Sequence, residues 1–219
     1  MRTAALLLLL TMAPALAATP YPHVDSPRWT RVYDPLFRKY GKHYFGMGQD
    51  WRWFKAQAIA ESTLDPTARS HVGAVGLMQI MPATFAEIRR SEPAYRNIHD
   101  VRWNVAAAIY YDRYLYRQDS WDQLPDKDRL ITAFAAYNTG LGGALRAYSR
   151  ASPPVTEWRK MAPYVPKETR GYVHRIVTIM TGGATTELPA FSETRSPVRK
   201  PLRRGIAAKV LKQQESVTE

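Results

Sequence analysis

Apolar side chains in this chain recur at i, i+3, i+4 and i+7 rather than in alternation, so the elements it predicts are helices. A short helix is expected between Asp34 and Gly46, and a second, opened by Asp50, ends near Glu61 to Thr63. Leu64-Asp65-Pro66 stops it, and the two glycines and weak periodicity of the run to Gly76 predict loop. Pro82 suits the first turn of a helix reaching about Arg90, where its missing N–H costs nothing. A longer helix is expected from Asn104 to Gln118, with Ala107, Tyr111, Tyr114 and Gln118 on one face and Ala108 and Leu115 beside them. Asp126 to Tyr137 follows, ended by Asn138-Thr139-Gly140, then a short helix from Leu141 to Tyr148. The last runs from Lys167 to Thr181, where Val173, Ile176, Val177 and Met180 form the buried stripe and Gly182-Gly183 end it. No segment reads strongly as a strand and no internal repeat is evident. The expectation is an all-α fold: a single helical domain over residues 31–183.

One position breaks the pattern. Phe54, Ala58 and Glu61 share a stripe, so a carboxylate stands where an apolar side chain is expected. Two readings are open at this point. A Glu at the rim of that face reaches solvent or pairs with an Arg; a Glu held against apolar surface has its charged form destabilised and stays protonated near neutral pH as a general acid.

The ends read differently from the middle. Met1-Arg2, the apolar run Ala4 to Leu10 and the small-x-small triplet Ala15-Leu16-Ala17 have the order of an export signal, placed at residues 1–17. The apolar run is too short for a bilayer-spanning helix and no later stretch approaches about 20 apolar residues, so no transmembrane segment is expected. The protein is expected to be soluble, and periplasmic or associated with the cell wall. With no cysteine there is no disulfide, no thiolate metal site and no lipid-bearing Cys, hence not a lipoprotein. Residues 18–30 form a Pro-rich, extended lead-in. Residues 184–219 form a basic tail of disordered composition that carries Arg195, Arg199, Lys200, Arg203, Arg204, Lys209 and Lys212, with a short amphipathic helix conceivable from Gly205 to Gln213. A formal charge of +12 calls for an anionic partner. For an exported chain that partner is an anionic wall or membrane surface met by the tail, in preference to nucleic acid. His23, His43, His71, His99 and His174 show no metal-like spacing, and neither a metal nor another cofactor is expected.

Four blocks carry the chemistry: Glu61-Ser62; Gly76-Leu77-Met78-Gln79-Ile80-Met81-Pro82-Ala83-Thr84; Ala136-Tyr137-Asn138-Thr139-Gly140; and Glu168-Thr169-Arg170-Gly171-Tyr172-Val173. In this order and at these separations they resemble the soluble lytic transglycosylase family, across roughly Trp51 to Met180. The resemblance implies a goose-type lysozyme-like helical fold and cleavage of the β-1,4 glycan strands of peptidoglycan between N-acetylmuramic acid and N-acetylglucosamine. It implies that Glu61 is the single catalytic acid and base and that Ser70 lies near the sugar's N-acetyl group. Gln79 and Met81 would line the glycan groove, Tyr137 and Tyr172 would stand close to the catalytic carboxyl, and Asn138 would contact substrate or support the site.

Glycosidic cleavage needs a proton donor to the leaving oxygen and something to stabilise an oxocarbenium-like centre. Glu61 covers the first task, but the blocks offer no obvious carboxylate partner for the other. Asp65 is nearest in sequence, and Asp-Pro after a helix is a turn-forming pair. The resemblance implies that the substrate's own N-acetyl group takes the missing role and that the product carries a 1,6-anhydro end. The competing readings are a lysozyme-type hydrolase of the same fold, which needs a second acid, and a non-catalytic wall-binding protein. A protein partner is not named by the sequence. Met78 reads as core filler, Gly73 and Gly76 as backbone geometry, and the tyrosines of the Asn104–Gln118 helix as packing in preference to a sugar-stacking wall.

Overall fold

The computed structural model describes residues 22–183; the expected export signal, the start of the lead-in and the basic tail with its amphipathic stretch lie outside them. Eight α-helices follow in order: α1 Asp34–Phe45, α2 Arg52–Ser62, α3 Pro82–Ser91, α4 Val101–Tyr116, α5 Asp126–Thr139, α6 Leu141–Arg150, α7 Trp158–Met161 and α8 Lys167–Thr181. Short 3-10 turns stand at Asp119–Trp121 and Ala162–Tyr164.

Helices α4 and α5 form the centre. Val105, Ala106, Ala107, Ala108, Ile109 and Leu115 of α4 are buried, as are Leu130, Ile131, Ala133, Phe134, Ala135 and Ala136 of α5. A helix apolar on most of its circumference is satisfied only inside a bundle. The run of alanines lets neighbouring backbones approach closely. Burial of a side chain such as Phe134 is worth roughly 1.5–3 kcal/mol over leaving it in water. Around this pair, α1 packs on α4 and α2, α2 on α8, and α5 on α6 and α8. Tyr111 and Tyr114 are buried and stack with ring centroids 5.9 Å apart, so they are core and not an open wall.

Helix ends follow side-chain chemistry. Asp50, two residues ahead of the start of α2, accepts at its Oδ1 from the Arg52 N–H at 3.0 Å. The helix expected from Asn104 starts at Val101 instead, because Asp100 caps it by accepting from the Arg102 N–H at 2.9 Å. Its other end stops at Tyr116, short of Gln118, whose amide donates back to the Tyr114 carbonyl. Helix α6 reaches two residues past Tyr148, and α7 was not expected: Trp158 is buried and its N–H donates to Asp128 Oδ1 at 2.7 Å, an anchor invisible in local sequence. Between α2 and α3 the loop closes a small hairpin through two isolated antiparallel bridges, Arg69 with Val75 and Val75 with Ile80.

Two further ties fix the frame of the site. Lys55 Nζ lies 2.7 Å from Asp34 Oδ1, both side chains buried, which locks α2 to the start of α1. Residues 22–30 make turns; Val24 and Trp29 join the core, and the Val24 N–H donates to the Ile179 carbonyl at 2.8 Å, holding the far end of α8.

Candidate active site

Glu61 occupies the last turn of α2. Thr63 and Leu64 both adopt left-handed backbone, with φ of 59° and 65°, and the Thr63 N–H closes onto the Ile59 carbonyl. Such conformations are unfavourable for residues with a Cβ. The helix therefore stops abruptly and the chain turns away, leaving Glu61 at its end. Asp65 shapes that turn by accepting from the Thr67 N–H and Oγ1 at 2.8 and 2.7 Å, the turn-forming role expected of it.

Helix α8 supplies the groups beside the carboxyl. Tyr172 is buried and its hydroxyl donates to Glu61 Oε1 at 2.6 Å. Arg175, three residues further along and so on the same face, donates to the Ala60 carbonyl at 3.1 Å and places its positive charge near Glu61. Glu61 itself keeps part of its surface open, yet the protein packed around the carboxyl strips it of solvent. Burial pushes its pKa up to about 7; the Tyr172 hydrogen bond and the Arg175 charge pull the other way and hold it there. Tyr172 and Tyr137 are pushed well above the ordinary phenol value by burial and by Glu61's charge, so both hydroxyls remain donors.

The Gly-Leu-Met-Gln segment faces this carboxyl from a loop whose carbonyls are tied down individually. Ser62 Oγ donates to the Leu77 carbonyl at 2.7 Å and Tyr137 to the Met78 carbonyl at 2.9 Å. Gln79, at φ 46°, turns its Nε2 onto the Gly76 and Ala68 carbonyls at 2.9 and 3.2 Å. Asn104, buried on α4, accepts from the Met78 N–H and donates to the Val75 carbonyl, each at 2.9 Å, and to Ile98 at 3.1 Å. Gly76 sits over this amide at φ 77°; a Cβ there would lie 2.7 Å from Asn104 Nδ2, so only glycine fits.

The expected site residues thus fall into two groups. Glu61, Tyr172 and Tyr137 come together, and Tyr137 holds the loop instead of donating to Glu61. Gln79 braces the same loop, Met81 is 39% exposed beside it, and Met78 is fully buried. Ser70 and Asn138 are bonded elsewhere: Ser70 Oγ accepts from the Ala74 N–H at 2.9 Å and closes the loop tip, while Asn138, exposed at the end of α5, accepts from Thr169 Oγ1 of α8 at 2.8 Å.

Sequence reasoning missed three residues. Asn104 was read only as a helix start; the signal was an amide inside an otherwise apolar run. Arg175 carried its own signal, three residues from Tyr172. Asp112 is a second carboxyl near Glu61 that the motif blocks did not offer: fully buried on α4, its Oδ1 accepts from Gln57 Nε2 at 3.1 Å.

The family model described as the transglycosylase SLT domain matches residues 38–155. The soluble lytic murein transglycosylase of Salmonella typhimurium is 31% identical over 176 residues, covering 77% of this chain and 25% of that protein. Membrane-bound lytic murein transglycosylase F of Shewanella pealeana is 32% identical over 127 residues, 56% of this chain and 25% of that protein. Among solved structures, the 70 kDa soluble lytic transglycosylase of Escherichia coli superposes with a TM-score of 0.57 at 30% identity, over 70% of this chain and 24% of that one. An inactive variant of the Pseudomonas aeruginosa lytic transglycosylase Slt superposes with a TM-score of 0.55 at 22% identity over 70% of this chain and 24% of that one, a likeness of fold alone. The chain spans about a quarter of the length of the curated relatives it matches. Among the described residues the fold is all-α, as expected, and no helix is long and apolar enough to cross a membrane.

Proposed function

This chain belongs to the transglycosylase SLT family, and from that premise we propose that it is a peptidoglycan lytic transglycosylase in which Glu61 is first acid and then base. The observation that carries the proposal is a carboxyl at about pKa 7, bonded to Tyr172 at 2.6 Å. A group poised near neutrality is populated in both states, which a single residue performing both proton transfers requires.

In the first step protonated Glu61 gives its proton to the glycosidic oxygen as the C1–O bond breaks, and the N-acetyl oxygen of the muramic sugar bonds to C1. Glu61, now a carboxylate held by the Tyr172 hydroxyl and the Arg175 charge, takes the proton of that sugar's 6-hydroxyl. The 6-oxygen closes onto C1, the N-acetyl oxygen leaves, and a 1,6-anhydro end results. No water is consumed and Glu61 ends as it began. The braced loop of Gln79 and the exposed Met81 flank the strand, Ser70 receives the N-acetyl group, Tyr137 fixes the loop against the carboxyl, and Asn138 supports the α5–α8 junction from the rim. The substrate is the glycan strand of murein, after which the relatives are named. Export to the periplasm or wall follows from the sequence of residues 1–17, and contact of the basic tail with an anionic surface, weakening as salt rises, from that of 184–219.

The test is digestion of purified peptidoglycan with mass spectrometry of the fragments, beside Glu61→Gln. Anhydro ends from the unaltered protein alone are expected, with the variant slower by at least roughly 10²-fold, the lower end of general acid–base contributions. Fragments heavier by one water would make the protein a hydrolase. Fragments released equally by both proteins would remove Glu61 from the chemistry.

A further inference from the structure

The acid–amide pair beneath Glu61 is used by no step of the reaction above. Gln57 is one helical turn before Glu61 on the same face of α2, and its Nε2 donates to Asp112 Oδ1 of α4 at 3.1 Å. The other two oxygens of the pair, Asp112 Oδ2 and Gln57 Oε1, are both buried and neither has a hydrogen-bond partner. If Asp112 were ionised, two acceptors would be sealed in the core without a donor, and a buried charge would rest on a single amide. One proton on Oδ2 resolves both. A carboxylic acid and a primary amide match edge to edge: N–H to one oxygen, O–H to the other.

We propose that Asp112 carries a proton on Oδ2 and donates it to Gln57 Oε1, closing a neutral acid–amide ring one turn beneath Glu61. Asp112 is then a positioning residue, which keeps the floor of the site uncharged so that Glu61 is the one carboxylate that forms there. The ionisable groups facing Asp112 are Glu61 on α2, Tyr111 on α4, Tyr137 on α5 and Tyr172 on α8, and no cation stands among the groups that act on it. Burial, the larger cause, and the nearby Glu61 charge both favour its acid form, while the Gln57 bond opposes them. The consequence deepens the proposed function, and rests on Glu61 acting there as acid and base. An ionised Asp112 would repel the Glu61 carboxylate formed after the first proton transfer, and would be the second acid a hydrolase requires. Neutral and shut away, it does neither.

Asp112→Asn in the full chain tests this, because Asn reproduces the ring with its own amide and carries no charge. An acid protonated in the fold but ionised when unfolded costs stability as pH rises above the unfolded value, about 3.9. The Asn variant is therefore expected to melt above the unaltered protein at about pH 7, with the gap closing toward pH 4, and to leave the alkaline limb of the pH–rate profile in place. Infrared spectra of the Glu61→Gln protein at about pH 8 should show the carbonyl stretch of a protonated acid, which is lost in the Glu61→Gln, Asp112→Asn double variant. A variant that melts lower, with the deficit growing as pH rises, or an alkaline limb displaced to lower pH, would overturn the proposal, as would absence of the protonated-acid band. Melting and infrared spectra need no activity, so they decide the matter even if peptidoglycan proves not to be the substrate. Should the Asn variant fail to fold, the band in the Glu61→Gln protein decides it alone.

Discussion

Replacing Tyr172 with Phe deletes one hydroxyl and leaves the ring packed in the core. That hydroxyl donates to Glu61 Oε1 at 2.6 Å, a charge-assisted bond whenever Glu61 is ionised. Hydrogen bonds to charged groups are worth about 1.5–3 kcal/mol, and neutral ones about 0.5–1.5 kcal/mol. The difference of about 1–1.5 kcal/mol favours the carboxylate, and at 1.36 kcal/mol per pKa unit it amounts to roughly one unit. Tyr172→Phe should therefore raise the Glu61 pKa from about 7 to roughly one unit higher. The first step needs protonated Glu61, so kcat/KM on glycan strands falls as pH rises through this pKa. The variant's alkaline limb should shift to higher pH by roughly one unit, while the return proton transfer, now to a less stabilised carboxylate, becomes no easier. Rates across pH 5–9 read the limb, and a carbon-13 titration of Glu61 reads the group directly. A limb that stays in place or moves to lower pH would refute the claim that Tyr172 tunes Glu61.

Three other perturbations probe the frame. Glu61 has a folded pKa raised from 4.5 to about 7, so its penalty is absent below the unfolded value, grows as pH rises from about 4.5, and is complete above about 7. Glu61→Gln should accordingly be more stable than the unaltered protein at neutral pH, by up to about 3 kcal/mol, with equal stability near pH 4 in thermal or denaturant melts. Asn104→Ala leaves the Met78 N–H and the Ile98 carbonyl without their partner, at about 1–3 kcal/mol each, and takes from the Val75 carbonyl one of its two donors, the Ile80 N–H remaining; it should lower stability by at least about 2 kcal/mol and cut turnover by displacing the Met78–Gln79 loop. Lys55→Met strands the buried Asp34 carboxylate and should cost about 3–5 kcal/mol in denaturant unfolding.

Helix spans were legible where their causes are local. Pro82, Gly140 and Gly182 mark ends that need no tertiary information, and Lys167–Thr181 has the bounds its apolar stripe predicts. Glu61 stood out for the same reason, as a carboxyl on an apolar stripe. The pieces that escaped depend on partners far away in sequence. Gln57 and Asp112 are 55 residues apart and Asn104 is 26 from Met78; each is a polar letter that periodicity assigns to a surface until its partner is known. The Trp158 turn was hidden in the same way, since Asp128, 30 residues earlier, supplies its anchor.

The two helices that meet at Glu61 divide its chemistry between them. Helix α2 brings the carboxyl and, through Gln57, the amide beneath it, while α8 brings both groups that favour the ionised form, Tyr172 and Arg175. The balance that holds Glu61 near neutrality is therefore set by how α8 lies on α2 as much as by the groups themselves. A helix shift that lengthened the 2.6 Å bond would raise the pKa without altering any charge. The Val24 N–H bonded to the Ile179 carbonyl anchors the far end of α8, and the Thr169–Asn138 bond anchors its first turn. Neither bond involves the Glu61 carboxyl, and loosening either should move the pH profile before it unfolds the domain.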